Sequence, residues 1–295
     1  MTQIQNNKTP VTILGLGPMG QALAQSFLKN GHPTTVWNRT AKKAKDLVKQ
    51  GANQANTVAD AILASPLVVI CVLDYNIVHS ILHPVSSELK GRTLVNLTAD
   101  TPSSARETAA WAIEQKFEYL DGAIMTPVPT IGNSDALVLY SGKEEIYHTH
   151  RSTLASIGGT STYLGTDPGR AAAYDVSLLD LFWTSMSGFI HALAVAKSEN
   201  IAAKDILSYT KGIIGILPDI MTDMADEVDT GHYPGELSNI TSAAAGMKHI
   251  IHAAKAHHLD VSVLSAAKHI AQKAIDKGHG KDGFSRLIEE LSQSE

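Results

Sequence analysis

The sequence predicts an α/β fold: a mostly parallel sheet flanked by helices, then a long helix that opens an all-α second half. Three observations carry that expectation. Short apolar runs alternate with helix-favouring segments up to about residue 166, the pattern of a sheet wound with crossover helices. The first apolar run, residues 11–14, flows into Gly15-Leu-Gly-Pro-Met-Gly20 and then into helix-forming residues. From Arg170 to about Glu199 the chain runs without a proline, and most of that stretch is apolar.

The order strand, Gly15-x-Gly17-x-x-Gly20, helix is that of a dinucleotide-binding turn. Gly15 lets the chain turn sharply, Gly17 removes a side chain that would hold a pyrophosphate off the backbone, and Gly20 lets helix and strand approach closely. Leu16, Pro18 and Met19 complete the loop, and the helix N-terminus offers unpaired N–H groups to phosphate. The second expected strand, 34–37, ends in Asn38-Arg39-Thr40, where an NAD site would set a carboxylate on the ribose. An arginine stands there instead. Arg39 can fork onto a 2′-phosphate, with Thr40 and Lys43 as further donors, so the expected cofactor is NADPH.

The remaining strands and helices follow in turn. Residues 41–50 read as a charged helix, 58–64 as a shorter one, and 67–73 as a strand covered on both faces. Then come a helix at 76–82, a strand at 93–97 and a helix at 102–116, with Pro102 in the first turn where its missing N–H costs nothing. Strands at 118–121 and 136–140, a helix at 143–154 and a last strand at 160–164 close the first half. Ligands of such sheets lie at the carboxyl ends of the strands. That nominates Leu73 and Asp74 for the cofactor, and Asn96 and Thr98 for its nicotinamide end, although both of the latter also suit a plain turn.

With 295 residues, two domains are expected, at 1–166 and 167–295. A hydrophobic content of 44% and a net charge of −5 describe a soluble protein whose main partner is neither nucleic acid nor an anionic membrane. No uninterrupted apolar run approaches about 18 residues, so no membrane span is expected. The polar first ten residues read as a tail and not as a signal peptide. Cys71, the only cysteine, cannot form an internal disulfide; it reads as inert core in a cytoplasmic protein.

The helix from Arg170 would be about 45 Å long and is apolar nearly all round between Val176 and Val195. Such a helix must be buried on every side, which points to the spine of a homodimer in which each subunit's helical part wraps the other's. Helices at 203–211, 217–227, 241–256, 261–277 and 284–291 follow. Six histidines lie between His249 and His279, but without a carboxylate pair or cysteine set of metal-ligand spacing, so no metal site is expected.

The glycine loop, Asn38-Arg39-Thr40 and the long helix opening an all-helical half resemble the β-hydroxyacid dehydrogenase superfamily over nearly the whole chain. Its hydroxyacid members hold a substrate carboxylate with serine and a glycine pair after the strand equivalent to 118–121, and carry a catalytic lysine early in the long helix. Here the loop reads Met125-Thr126-Pro127, and no lysine occurs between Lys143 and Lys197. The branch similar to this chain, in Trp37-Asn-Arg-Thr40 and in Gly165-x-Asp167-x-Gly169, is the imine reductase family. The resemblance implies NADPH-dependent reduction of C=N bonds, such as those of cyclic imines, to amines. An ungapped count from Tyr163-Leu-Gly165 puts Tyr174 in the lysine's place as proton donor, and this is the reading adopted; counting back from Asn200 puts Asp175 there. A tyrosine donor resembles the members that give S amines. An apolar substrate pocket would draw on Met125 and Pro127, on Phe182, Trp183 and Met186, and on Leu217, Met221, Ala245 and Met247, the last four from the partner subunit. A hydroxyacid or carbonyl dehydrogenase of the same superfamily and a non-catalytic NADPH-binding sensor are the alternatives.

Overall fold

The computed structural model describes residues 8–292, so most of the expected N-terminal tail lies outside the described residues. The chain divides after Leu181 into two compact units.

The first unit is built on an eight-stranded sheet: β1 (Val11–Leu14), β2 (Thr34–Trp37), β3 (Asn53–Gln54), β4 (Leu67–Ile70), β5 (Thr93–Asn96), β6 (Glu118–Ile124), β7 (Leu137–Gly142) and β8 (Thr160–Tyr163). Its order is β3-β2-β1-β4-β5-β6-β7-β8, and only the β6–β7 pairing is antiparallel. Strands β1 and β4 lie in the middle and every residue of both is buried, as a sheet covered on two faces requires. Successive residues serve opposite faces: Ile13 and Val69 join a core with Leu23 and Phe27, while Leu14, Val68 and Ile70 join another with Ile62 and Leu82. The chain leaves β1 for β2 on one side and returns to β4 on the other, which opens a crevice at the carboxyl end of β1.

The helices of this unit are α1 (Pro18–Lys29), α2 (Lys45–Lys49), α3 (Val58–Leu63), α4 (Tyr75–Leu82), α5 (Pro102–Gln115) and α6 (Glu144–Leu154). Thr57, Asp74 and Thr101 cap α3, α4 and α5 by accepting a backbone N–H with the side-chain oxygen. The helix expected at 41–50 is instead a 3₁₀ turn, Ala41–Ala44, followed by the short α2. The two-residue strand β3 carries no apolar pattern and was not anticipated. Strand β6 runs past its expected end at Asp121 because antiparallel pairing with β7 continues through Gly122–Ala123–Ile124. Gly122 fits there for want of a side chain: a Cβ would stand 2.7 Å from the Leu97 side chain.

The long helix is α7 (Arg170–Ser198), followed by α8 (Ala203–Thr230), α9 (Ile240–Ala256), α10 (Ser262–Asp276) and α11 (Leu287–Ser292). Within the second unit Ile240 and Ala244 of α9 pack with Ala271 and Ala274 of α10 and with Leu287. One expectation needs correction. The separate helices at 203–211 and 217–227 are one helix of 28 residues that passes through Pro218, losing one backbone hydrogen bond and not breaking. α7 contains an 18-residue window of mean hydropathy 1.4 with no more than two charged residues, so by length and composition it passes the same test as a membrane span or a core helix of a soluble protein. Ser177, Thr184, Ser185, Ser187 and His191 interrupt its apolar run, which is why an unbroken stretch was not seen in the sequence. No residue from Val176 to Val195 is buried within the single chain.

Since Pro218 interrupts a helix ladder that otherwise continues on both sides, Pro218→Ala should restore the missing bond and raise stability by about 1–3 kcal/mol. A higher urea midpoint with unchanged helical circular dichroism is the expected result.

Candidate active site

The turn from β1 into α1 is held by backbone contact. Gly15 has φ +96°, and a Cβ on it would lie 2.3 Å from the Cys71 carbonyl oxygen; a Cβ on Gly20 would lie 2.0 Å from the carbonyl oxygen of Gly15. Neither position tolerates a side chain. Gly17 differs, since the space where its Cβ would point is empty. It caps α1 with Pro18 in the first turn, and the early N–H groups of the helix have no acceptor inside it.

Above this turn lies a cleft of about 740 Å³. Gly15, Leu16, Gly17, Pro18, Met19 and Gly20 line its floor, Asn38, Arg39, Thr40 and Lys43 one wall, and Cys71, Val72 and Leu73 the other. Trp37, Val58, Ile77, Ile81 and Val85, which the sequence did not nominate, supply further apolar surface. Asn38 joins wall to floor: its Oδ1 accepts the Leu16 N–H at 2.9 Å and its amide donates to the Thr40 carbonyl at 3.2 Å. Arg39 has no hydrogen bond or ion pair among the described residues, and no carboxylate lines the cleft. An exposed guanidinium beside Thr40 and Lys43, with no acid to neutralise it, fits the 2′-phosphate of NADPH. The vacant space at Gly17 and the helix N-terminus fit the pyrophosphate.

Three nominated residues do not line this cleft. Asp74 caps α4, accepting the Ile77 N–H at 2.9 Å. Asn96 accepts the Thr98 N–H at 3.0 Å, and the Thr98 hydroxyl accepts the Val72 N–H at 3.2 Å, so the two tie together the ends of β4 and β5. The Cys71 thiol is pushed up to about 11 by burial, which keeps it protonated and unreactive.

A second group of polar residues lies buried at the ends of β5 and β6. The Tyr119 hydroxyl donates to Asp121 Oδ1 at 2.8 Å, the Tyr75 hydroxyl donates to the same oxygen, and the Asn96 amide donates to the Tyr119 hydroxyl at 3.4 Å. Burial pushes the Asp121 carboxyl up to about 7, against the two tyrosine hydrogen bonds, with the Asp175 charge adding to the rise. Of the two donor candidates, Asp175 is 4% exposed, accepts no hydrogen bond among the described residues, and is raised by burial, whereas Tyr174 is 43% exposed in the single chain. Sequence reading missed Tyr75, Tyr119 and Asp121; the signal was an aspartate ending the apolar run Tyr119-Leu-Asp.

Of the nine residues nominated for substrate, two lie in the first unit and seven in the second. Met125 packs on Ala123, Leu139 and Ala171, and Pro127 is exposed. In the second unit Phe182 and Trp183 meet edge to face and are exposed, as are Met186, Met221 and Ala245, while Leu217 and Met247 are half-buried. A separate cavity of about 510 Å³ in that unit is lined by others, among them His191, Ile206 and Val263. Among the described residues no three His, Cys, Asp or Glu side chains gather as a metal site.

Residues 10–165 match the family described as the NAD binding domain of 6-phosphogluconate dehydrogenase, and residues 167–293 that described as the C-terminal domain of NADPH-dependent reductive aminase-like proteins. An NADPH-dependent reductive aminase of Aspergillus oryzae is 36% identical over 95% of this chain and 96% of its own. The chain belongs to the NADPH-dependent imine reductase family. Solved relatives include an imine reductase from Bacillus cereus BAG3X2, 37% identical, with a TM-score of 0.89 over 97% of this chain and 99% of that one. Another, from Myxococcus stipitatus and in complex with NADP⁺, is 34% identical with a TM-score of 0.93 over 96% and 100%. Membership makes the chain an NADPH-dependent oxidoreductase that reduces C=N bonds, in place of the hydroxyacid and sensor alternatives.

If Arg39 reads the 2′-phosphate, Arg39→Ala should raise the KM for NADPH at least about tenfold, the loss of one charge-assisted contact, and leave NADH kinetics nearly unchanged. Equal losses with both cofactors would assign Arg39 another role.

Proposed function

We propose that the protein reduces cyclic imines to amines, that Asp175 delivers the proton to nitrogen, and that it works as a homodimer. The first two parts are carried by one observation: a buried carboxyl without a hydrogen-bond partner stands early in α7, where the resemblance seats a proton donor. When bound, NADPH supplies the hydride that adds to the carbon of the C=N bond. The glycine turn, Asn38 and the Arg39 wall hold the cofactor; the apolar surfaces of Met125, Phe182, Trp183 and Met186, with Leu217, Met221, Ala245 and Met247, keep water from the imine. Burial favours the neutral form of Asp175, so the group keeps a proton to higher pH than an ordinary aspartate and can pass it to nitrogen.

Tyr174 precedes Asp175 at a rotation of about 100° on the helix, so the two do not serve one substrate together. The S outcome implied for a tyrosine donor belongs to the Tyr174 alternative. A reducing, cytoplasmic setting accords with a single cysteine held protonated by burial.

The dimer is supported by exposed apolar side chains on α7 and α8. Leu178, Leu181, Phe182, Trp183 and Ile190 on the first, and Ile213, Ile214 and Ile220 on the second, are all more than a third exposed in the single chain. A soluble protein covers apolar surface of that extent with a partner. We propose that a second copy covers α7, each helical part wrapping the other subunit's.

Two measurements test these assignments. With a neutral imine assayed above its own pKa, Asp175→Asn should lower kcat by about 10²-fold and Tyr174→Phe by no more than a few-fold; the reverse pattern would reinstate the tyrosine. Sedimentation at nanomolar concentration should still find the dimer, because obligate interfaces of this kind bury more than about 2,000 Å². An active monomer would remove the dimer.

A further inference from the structure

Asp121 is 2% exposed, and its hydrogen bonds from Tyr75 and Tyr119 both fall on Oδ1, so that Oδ2 has no donor among the described residues. Three independent ties bring the first turns of α7 over it. Ala171 packs on Ala123, which shares a face of β6 with Asp121. The Ala171 N–H donates at 2.9 Å to the hydroxyl of Ser141, the residue paired with Asp121 across the sheet. Ala172 packs on Tyr75, whose hydroxyl holds Asp121. Asp175 follows Ala171 by four residues and Ala172 by three, so it lies on the same side of the helix as both. Helix and strand periodicity therefore set one buried carboxyl over another.

We propose that Asp121 and Asp175 act as one two-carboxyl acid sharing a single proton, Asp121 serving as a positioning residue that keeps Asp175 in its proton-donating form. The proposal rests on the reading of Asp175 as donor. Two carboxylates in a water-poor site resist ionising together, so the pair keeps one proton where a lone aspartate would have lost it. The groups around Asp121 decide where the charge resides. Tyr75 on α4 and Tyr119 beside it on β6 donate to it, Asn96 on β5 donates to Tyr119, and Ser141 on β7 is committed to α7 and to the Pro168 carbonyl. Asp100, the other nearby acid, accepts the Tyr75 N–H at 3.0 Å, and the His79 ring lies against Tyr75. No cation offsets the pair in this set. Two donors on Asp121 and none on Asp175 place the anion on Asp121 and the proton on Asp175. In the reaction, hydride adds to carbon as the pair's proton goes to nitrogen, giving CH–NH. The pair passes from one negative charge to two and is reprotonated by water as product leaves.

The test compares pH profiles of kcat on a neutral imine, with NADPH affinity followed by fluorescence. The wild-type alkaline limb should fall well above the range of an ordinary aspartate, because burial and the second carboxyl both hold the pair's proton in place. Asp121→Asn keeps an acceptor for the tyrosines but removes the anion, so the limb should move to lower pH by at least about one unit. Tyr119→Phe removes a donor to the anion, so the limb should move to higher pH. NADPH affinity should hold in both variants. Infrared titration should show one buried protonated carboxyl in the wild type, absent or shifted in both Asp121→Asn and Asp175→Asn. If folded Asp121→Asn keeps the wild-type limb and infrared band while Asp175→Asn is inactive, the shared proton is refuted and the donor reading survives. If Asp175→Asn is fully active, the donor reading fails and the proposal with it.

Discussion

The contact of backbone on backbone between Gly20 and Gly15 sets the geometry of the first unit. A Cβ at Gly20 would overlap the Gly15 carbonyl oxygen, so α1 starts against the end of β1 only because nothing projects from either residue. That closeness aims the free N–H groups of α1 into the crevice where the sheet order reverses, the one place beside the sheet where a pyrophosphate meets both a helix terminus and bare backbone. Asn38 carries the same constraint sideways by holding Leu16, and so the loop, against the end of β2. The cofactor cleft is thus shaped by packing as much as by charge, with the Arg39 guanidinium on the wall of a site already formed.

Electrostatics governs the other end. The cleft wall carries cationic groups suited to a phosphate, while the buried cluster at β5 and β6 joins the Asp121 carboxyl to two tyrosines. The two environments shift charge in opposite senses: one invites an anion, the other resists becoming one. A reduction that gives a hydride to carbon and a proton to nitrogen needs both, a tightly held anionic cofactor and an acid that stays protonated near neutrality. Small residues make the second possible. Ala171 and Ala172 bring α7 onto Ala123 and Tyr75 closely enough for Asp175 to be buried.

Along α7 and α8 the chain leaves large aliphatic and aromatic side chains in contact with water, Trp183 and Ile213 each at 63% exposure. Burying surface of that kind is the main favourable term in association, and it gives these helices a reason to be so long and so apolar. The polar interruptions of α7, from Ser177 to His191, suit a helix packed on protein, where hydroxyls bond to their own backbone as Ser177 and Ser187 do.

Much of the fold was legible in sequence because it rests on local pattern. Strand-length apolar runs gave β1, β4 and β5, proline at the first turn gave α5, and the glycine spacing with Arg39 gave the cofactor turn and its phosphate preference. Pairing and register were not legible. Nothing local says that β6 turns to meet β7 antiparallel and so extends to Ile124, since its partner strand lies elsewhere in the chain, or that a helix continues through Pro218. The proposed proton donor shows the division most sharply. Counting residues brings one to Tyr174 or Asp175 and stops there, because neighbours on a helix differ by about 100° in direction and a count carries no direction. Only the packing of Ala171 and Ala172 on β6 and α4 turns Asp175 inward, and only the meeting of β6 with α4 joins Asp121, Tyr119 and Tyr75 by hydrogen bonds.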